Sequence, residues 1–292
     1  MGRDLFRAIV DGILGGGVYA LMAVGLTLIF GVLDIINIAQ GILVVLAAYL
    51  SYLLSVHLHL DLFVGLLVTI PVMFALGVAI YWLFMRRLRG RERTSMSLLA
   101  SYAVMIIIEG ALYLGLGPNY VGLNAWYVSR TVHVAGIYLP YIYLFGFGLA
   151  VLLVAGLYLM LYRTRFGRSL RATMQDQVAA RLIGIDVNRV AALAFGVGVA
   201  VTAIGGMVFG AVNTFNPNSG YDLISRLLAI IILGGLGSIA GALAAAIFMT
   251  TIESIVTIWS PTWSVVVFYA ALVVVLTFRP TGLFGRRAAR AQ

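Results

Sequence analysis

The chain has 292 residues, 63% of them hydrophobic and 10% charged, with a mean hydropathy of +1.08, whereas soluble domains carry about 25% charged residues; it reads as one transmembrane domain over 1–292, with no room for a separate soluble unit. All 19 cationic residues are arginines, so no P-loop lysine and no Schiff-base amine is available, and with no cysteine there is no disulfide or thiolate metal site. The net charge of +9 sits beside apolar runs, where arginine sets topology and does not mark a nucleic-acid partner.

The N-terminal MGRDLFRAIVDGILGGG mixes Arg3 and Arg7 with Asp4 and Asp11, offers no A-x-A cleavage site and runs straight into apolar sequence. It therefore predicts a first span and not a cleaved signal peptide. A spanning helix needs about 20 apolar residues to cross a hydrocarbon layer of about 30 Å. By that measure spans are expected near 8–32, 37–57, 61–85, 96–116, 138–161, 190–213, 221–238, 240–259 and 262–278. This is an all-α, polytopic bundle of eight or nine crossings. The seventh segment is short and carries Arg226, so it is expected to be broken or re-entrant. Five arginines fall in 86–93, six in 163–189 and four in 279–290, which places those loops in the cytoplasm. Loops 58–60, 117–137 and 214–220 then lie outside, with the N-terminus outside and the C-terminus inside. Small residues recur four apart (Gly16 and Ala20, Gly206 and Gly210, Gly234 and Ser238, Gly237 and Gly241), the spacing that lets helices pack closely in lipid. Trp82, Trp126, Trp259 and Trp263 sit at span ends, as interfacial aromatics do.

Between the fifth and sixth spans, loop 162–189 holds RSLRATMQDQVAARLIGIDVNRV. Within it 176–184 predicts a short helix: Asp176 caps its start, Arg181 suits its C-terminal dipole and Gly184 stops it in the left-handed conformation. Asp186 then caps the next span. Val178 with Leu182 and Ala179 with Ile183 form apolar pairs four apart, which a simple linker does not need. Two readings compete: a helix lying among lipid headgroups, or one docking into a groove on a cytoplasmic partner.

Five stretches in order, GVYALMAVGLTLIFGVLDIINIAQG (17–41), RFGRSLRATMQDQVAARLIGIDVNRV, NPNSG (216–220), AIIILGGLGSIAGALAAAI (229–247) and RPTGLFGR (279–286), resemble the H-type permease of branched-chain amino-acid ABC importers, from about residue 12 to 286. The resemblance implies a type II-like helical permease paired with a second homologous permease, two cytoplasmic ATPases and an external solute-binding protein, in a bacterial inner membrane. ATP and magnesium would bind the ATPases, leaving this chain without a cofactor, a catalytic residue or a metal. It also implies a coupling helix in which Arg171, Asp176, Ala179, Ala180 and Gly184 engage the ATPase. Leucine, isoleucine and valine are the implied substrates, with urea, short amides and other amino acids as alternatives. The chain departs from the family in having Gln40 where histidine is common, Asp34 where a small residue is common, and Glu109 where a neutral amide usually lies nearby.

Ionisable groups within spans are costly and functionally suspect. Glu253, in TTIESI, matches a family glutamate and either lines the path or joins two helices; Glu109, near the outer end of its span, is expected to reach water or an arginine. Asn37, Gln40 and Gly41 follow a predicted helix break and either line the path or cap the helix, and Asn213 joins them as a path candidate. His57, His59 and Asp61 alternate in VHLHLD but read as loop residues facing water, not as metal ligands. Rival functions are an ion-coupled secondary transporter, resting on Glu109, Glu253 and the short segment, and a non-transporting scaffold.

Overall fold

The computed structural model describes residues 2–88, 93–128, 130–134 and 137–284; Arg89, Arg91 and the arginines beyond residue 284 lie outside them. Long apolar runs form α1 (Gly2–Leu33), α2 (Gln40–Leu58), α3 (Leu62–Leu83), α4 (Arg93–Leu116), α5 (Tyr141–Arg163), α8 (Val187–Val212), α10 (Ile239–Trp259) and α11 (Pro261–Phe278). These eight are long and apolar enough to cross a membrane, and the protein is a multi-pass membrane protein. The polar loop forms α6 (Arg165–Gln175) and α7 (Gln177–Leu182), and the short segment forms α9 (Ser219–Gly234). A hairpin of β1 (Thr131–Val134) and β2 (Ile137–Pro140) precedes α5. The fifth span therefore starts at Tyr141 and not at 138, because Ile137–Pro140 pairs with β1 and Pro140 occupies the helix cap.

Helices α1, α2 and α8 form the centre, and the other spans surround them. Close approach depends on glycine, because packing in lipid is driven by van der Waals contact and not by a hydrophobic drive. A methyl on Gly12 or Gly16 of α1 would meet the α10 backbone at Thr251 and Ile247, and Thr250 Oγ1 donates to Gly12 O at 2.8 Å. On the other side, Gly77 of α3 lies against Gly196 and Val199 of α8, and Gly206 of α8 lies under Val44 and Ala47 of α2. The expected small pair Gly206 and Gly210 thus does face α2, whereas on α1 Gly12 and Gly16 make the seam with α10.

The chain also repeats itself. Phe30, Gly31, Asn37 and Gly41 recur at the same spacing as Phe209, Gly210, Asn216 and Gly220. The packing repeats with them: α1 lies on α10 as α8 lies on α3, while α1 meets α8 and α2 meets α9. Helix α1 ends, and α8 begins, at the face carrying the arginine-rich loops, so the two copies run in opposite directions. This is an inverted repeat of α1–α3 and α8–α10, an arrangement met in many membrane transporters.

Both repeats break their middle span. After α1 the chain turns at Asp34, in the left-handed region at φ 54, and climbs beside α4, with Thr94 Oγ1 donating to Asp34 O and Ile38 N to Ser101 Oγ. Helix α2 begins beside Gly198, about 16 Å along α8 at 1.5 Å per residue, since Gln40 Nε2 donates to Gly198 O at 3.4 Å. On the opposite side, loop residues Val121 and Leu123 bond Phe215 and Gly210. From Phe215, whose ring meets Tyr49 at 4.9 Å, to Gly220, packed against Ile42, the chain descends along about two turns of α2, roughly 10 Å. The seventh segment is accordingly a broken span: an extended entry, then a helix of 16 residues. It ends near the arginine-rich face, where Leu283 N donates to Leu233 O at 2.7 Å.

Candidate functional site

On the arginine-rich face, α6 and α7 form a bent pair whose ends are set by local caps. Thr164 Oγ1 accepts from Gly167 N at 3.0 Å, and Gly167 tucks beneath the carbonyls of Met160 and Leu161, where a side chain has no room. Leu170 and Thr173 turn inward and are buried, while Arg165 and Arg168 stay exposed. Arg171, read as a coupling residue, is half-buried with its guanidinium 4.5 Å from the Tyr162 ring. It braces α6 on α5.

Asp176 ends α6 and starts α7, its carboxylate accepting from Val178 N at 2.7 Å and Ala179 N at 3.1 Å. Gly184 follows at φ +84 with open space around it, so only its backbone conformation demands glycine. Asp186 caps α8 through Asn188 N and Arg189 N and pairs with Arg189 at 2.9 Å. The three local stops in the sequence are thus in place, but α7 is shorter than the 176–184 segment, and the helix α6 before it was not foreseen. Gln177 Nε2 donates to Val32 O at 3.3 Å, tying α7 to the end of α1.

What α7 presents outward is apolar. Val178, Leu182 and Ile183 are 66%, 84% and 73% exposed, and Ala179 stands among them, whereas Ala180 is buried against the bundle. Of the residues read as coupling contacts, Ala179 and Gly184 are exposed on this surface, Asp176 shapes it, and Ala180 and Arg171 support it from behind. The larger contributors Val178, Leu182 and Ile183 were visible only as paired apolar residues four apart; the sequence did not say which way they point.

At mid-depth the structure brings three of the path candidates, Asn37, Gln40 and Gly41, around the junction of the two repeats. Asn37 and Gln40 are fully buried within the chain. Asn37 Nδ2 donates to Gln40 Oε1 at 3.2 Å, and Gln40 passes the bond on to Gly198. Asn37 Oδ1 has no partner among the described residues. Gly41 lies where α2 meets α9: a methyl there would strike the Gly220 carbonyl and come within 2.9 Å of Ile224. The matching Asn216 and Ser219 bond each other, Ser219 Oγ donating to Asn216 Oδ1 at 3.2 Å and accepting from Asn216 N at 3.1 Å. Asn213 stands apart, exposed at the C-terminal cap of α8.

Glu253 belongs to a different cluster. Both its oxygens accept from Arg226 Nη1, at 2.9 and 2.7 Å, and the two side chains are 18% and 19% exposed. The guanidinium also lies 5.1 Å from the Phe268 ring and 5.9 Å from that of Tyr19. One ion pair therefore joins α9 to α10, with α1 and α11 alongside. Among the described residues Glu109 meets no arginine; Tyr221 of α9 donates to it at 2.8 Å. His57 is in the last turn of α2, His59 is the left-handed cap after it, and Asp61 accepts from Phe63 N to start α3, so the three do not share an extended strand.

The chain is 28% identical over 294 residues to the high-affinity branched-chain amino acid transport system permease protein BraD of Pseudomonas aeruginosa, covering 96% of this chain and 95% of that one. It is 28% identical to the corresponding permease protein LivH of Escherichia coli, with 94% of each chain covered. A probable branched-chain amino acid transport permease of Methanocaldococcus jannaschii is 27% identical over 86% of this chain and 81% of its own. No solved structure matches the chain. Residues 8–276, embracing both repeats and the α6–α7 pair, match the family described as branched-chain amino acid transport system / permease component, and the chain belongs to that family.

Proposed function

We propose that this chain is the membrane-spanning permease subunit of an ATP-driven importer that moves leucine, isoleucine and valine inward from an external solute-binding protein. The observation that carries the reading is the end-to-end similarity to permeases named for branched-chain amino acid transport. The arginine-rich face is the cytoplasmic one, in a bacterial inner membrane, with the C-terminus inside. A second homologous permease completes the path, and two ATPases, which hold ATP and magnesium, serve the pair, one of them gripping this subunit at α7.

The exposed apolar face of Val178, Ala179, Leu182 and Ile183 supports a docking role, because apolar side chains on a wet surface favour a protein partner. Closure of the ATPases pushes α7. Gln177 relays that push to the end of α1, and Asp186 relays it to α8, so both repeats receive it. The path runs along the permease interface, with Asn37, Gln40, Gly41, Asn213 and Glu253 as the residues set near it. The binding protein selects the substrate, since the path itself need only be mildly polar.

Reconstituting the complex in liposomes tests this: ATP inside and binding protein outside should drive leucine uptake, and this chain alone under an ion gradient should not. Gradient-driven uptake by the isolated chain would overturn the reading. Replacing Gly184 with Val costs about 1–2 kcal/mol in the left-handed conformation and should uncouple ATP hydrolysis from uptake while membrane insertion persists. Ala179→Arg should do the same by placing a charge in the docking face.

A further inference from the structure

Helices α4 and α9 flank α2 and touch through the hydrogen bond from the Tyr221 hydroxyl to Glu109. Around that bond α4 shows Tyr102 and Tyr113, and α9 shows Asp222 and Ser225. Tyr102 and Tyr221 are 43% and 40% exposed, and Asp222 and Ser225 are exposed beside them. Tyr102, Glu109 and Tyr113 fall seven and four residues apart, on one stripe of α4. Around the helix from that stripe Ile107 and Leu114 are 60% and 92% exposed, while Leu99 and Ile106, at 72% and 47%, border the stripe within one turn of Tyr102. Helix α4 therefore has an open polar stripe with an apolar border and, farther round, an open side that is apolar.

The polar side is not at the membrane surface. Glu109 lies seven residues before the end of α4, about 10 Å in at 1.5 Å per residue. Tyr221 adjoins Gly220, at the depth where α2 begins. Carboxyl groups open at such depth face another protein surface or a water-filled cavity, because hydrocarbon does not solvate them.

We infer that the face formed by Tyr102, Glu109, Tyr113, Tyr221, Asp222 and Ser225 abuts the partner permease across a water-filled seam, while the Ile107–Leu114 side of α4 meets lipid. The inference rests on the proposed role as one of two paired permeases and says which surface does the pairing. The occupant is a second permease subunit and not a lipid, since two carboxyl groups and a serine hydroxyl offer acyl chains nothing.

The chain has no cysteine, so an introduced cysteine is this subunit's single thiol, and its labelling in the assembled complex in native membranes is read on this subunit after the chains are separated. A membrane-impermeant, water-soluble methanethiosulfonate should modify Ser225→Cys at least about tenfold faster than Ile107→Cys or Leu114→Cys, as a solvated seam requires. A photoreactive p-benzoylphenylalanine in place of Tyr102 should cross-link to a permease-sized chain, and the same group in place of Leu114 should cross-link to lipid. Equal modification at Ser225 and Ile107, or lipid adducts from position 102, would overturn the assignment. ATP-driven leucine uptake by the unsubstituted complex is scored separately: its failure with the labelling contrast intact strikes the importer reading alone, and its success with the contrast lost strikes this face alone.

Discussion

The two repeats solve the same problem, starting a helix in the middle of a membrane, by different means. In the first, the break is sealed inside the protein: Asn37 and Gln40 are fully buried and bonded to each other and to Gly198, and α2 then runs for 19 residues with most of its first half buried. In the second, Asn216 and Ser219 satisfy each other locally, and the 16-residue α9 opens its first two turns to the outside through Tyr221, Asp222 and Ser225. Its inward side is fastened to α10 by the Arg226–Glu253 pair. One repeat thus serves as a packed frame and the other carries the open polar surface. Near-identical motifs do not dictate identical environments, because what surrounds each break is supplied by other helices.

The sharpest way to break this contrast is to remove the fastening. Glu253→Leu leaves Arg226 without its counter-charge and should cost about 3 kcal/mol, near the lower end for buried pairs given the partial exposure of both groups. The thermal midpoint of the detergent-solubilised complex measures it. The double variant Arg226→Leu with Glu253→Leu should recover most of the loss, and a double variant as unstable as the single one would show that the pair does not hold α9 in place.

Next in size is the junction itself. Gly41→Ala drives a methyl into the Gly220 carbonyl and should destabilise by about 2–3 kcal/mol. At Gly220 the nearest atoms, Ile42 Cα and N, stand at 3.1 Å from an added methyl, so Gly220→Ala should cost about 1 kcal/mol. Equal costs, read by titration with denaturing detergent, would show the junction to be as loose on one side as on the other.

Smaller still, Gln40→Leu strips a buried network of its link to Gly198 and should cost about 2 kcal/mol. Ser219→Ala, which removes the bond to Asn216 at a partly open site, should cost about 1 kcal/mol. If Ser219→Ala proves the more damaging, the first repeat is not the better sealed of the two.

The residues themselves determined the spans and their stops. Runs of about 20 apolar residues must hide their backbone in helices, and Asp176, Gly184 and Asp186 act on their immediate neighbours, so those local stops were legible one residue at a time. The recurrence of Phe-Gly, Asn and Gly in two places was legible too, though its meaning was not. Only the tertiary structure decided that the copies face each other in opposite directions, that Gln40 bonds a carbonyl in α8, that Glu253 is claimed by Arg226, and that Val178, Leu182 and Ile183 point away from the bundle. The reason is physical: an apolar or polar side chain carries the same chemistry whichever way it points, and its partners lie on helices tens of residues away, brought close only when the glycine-lined seams come together.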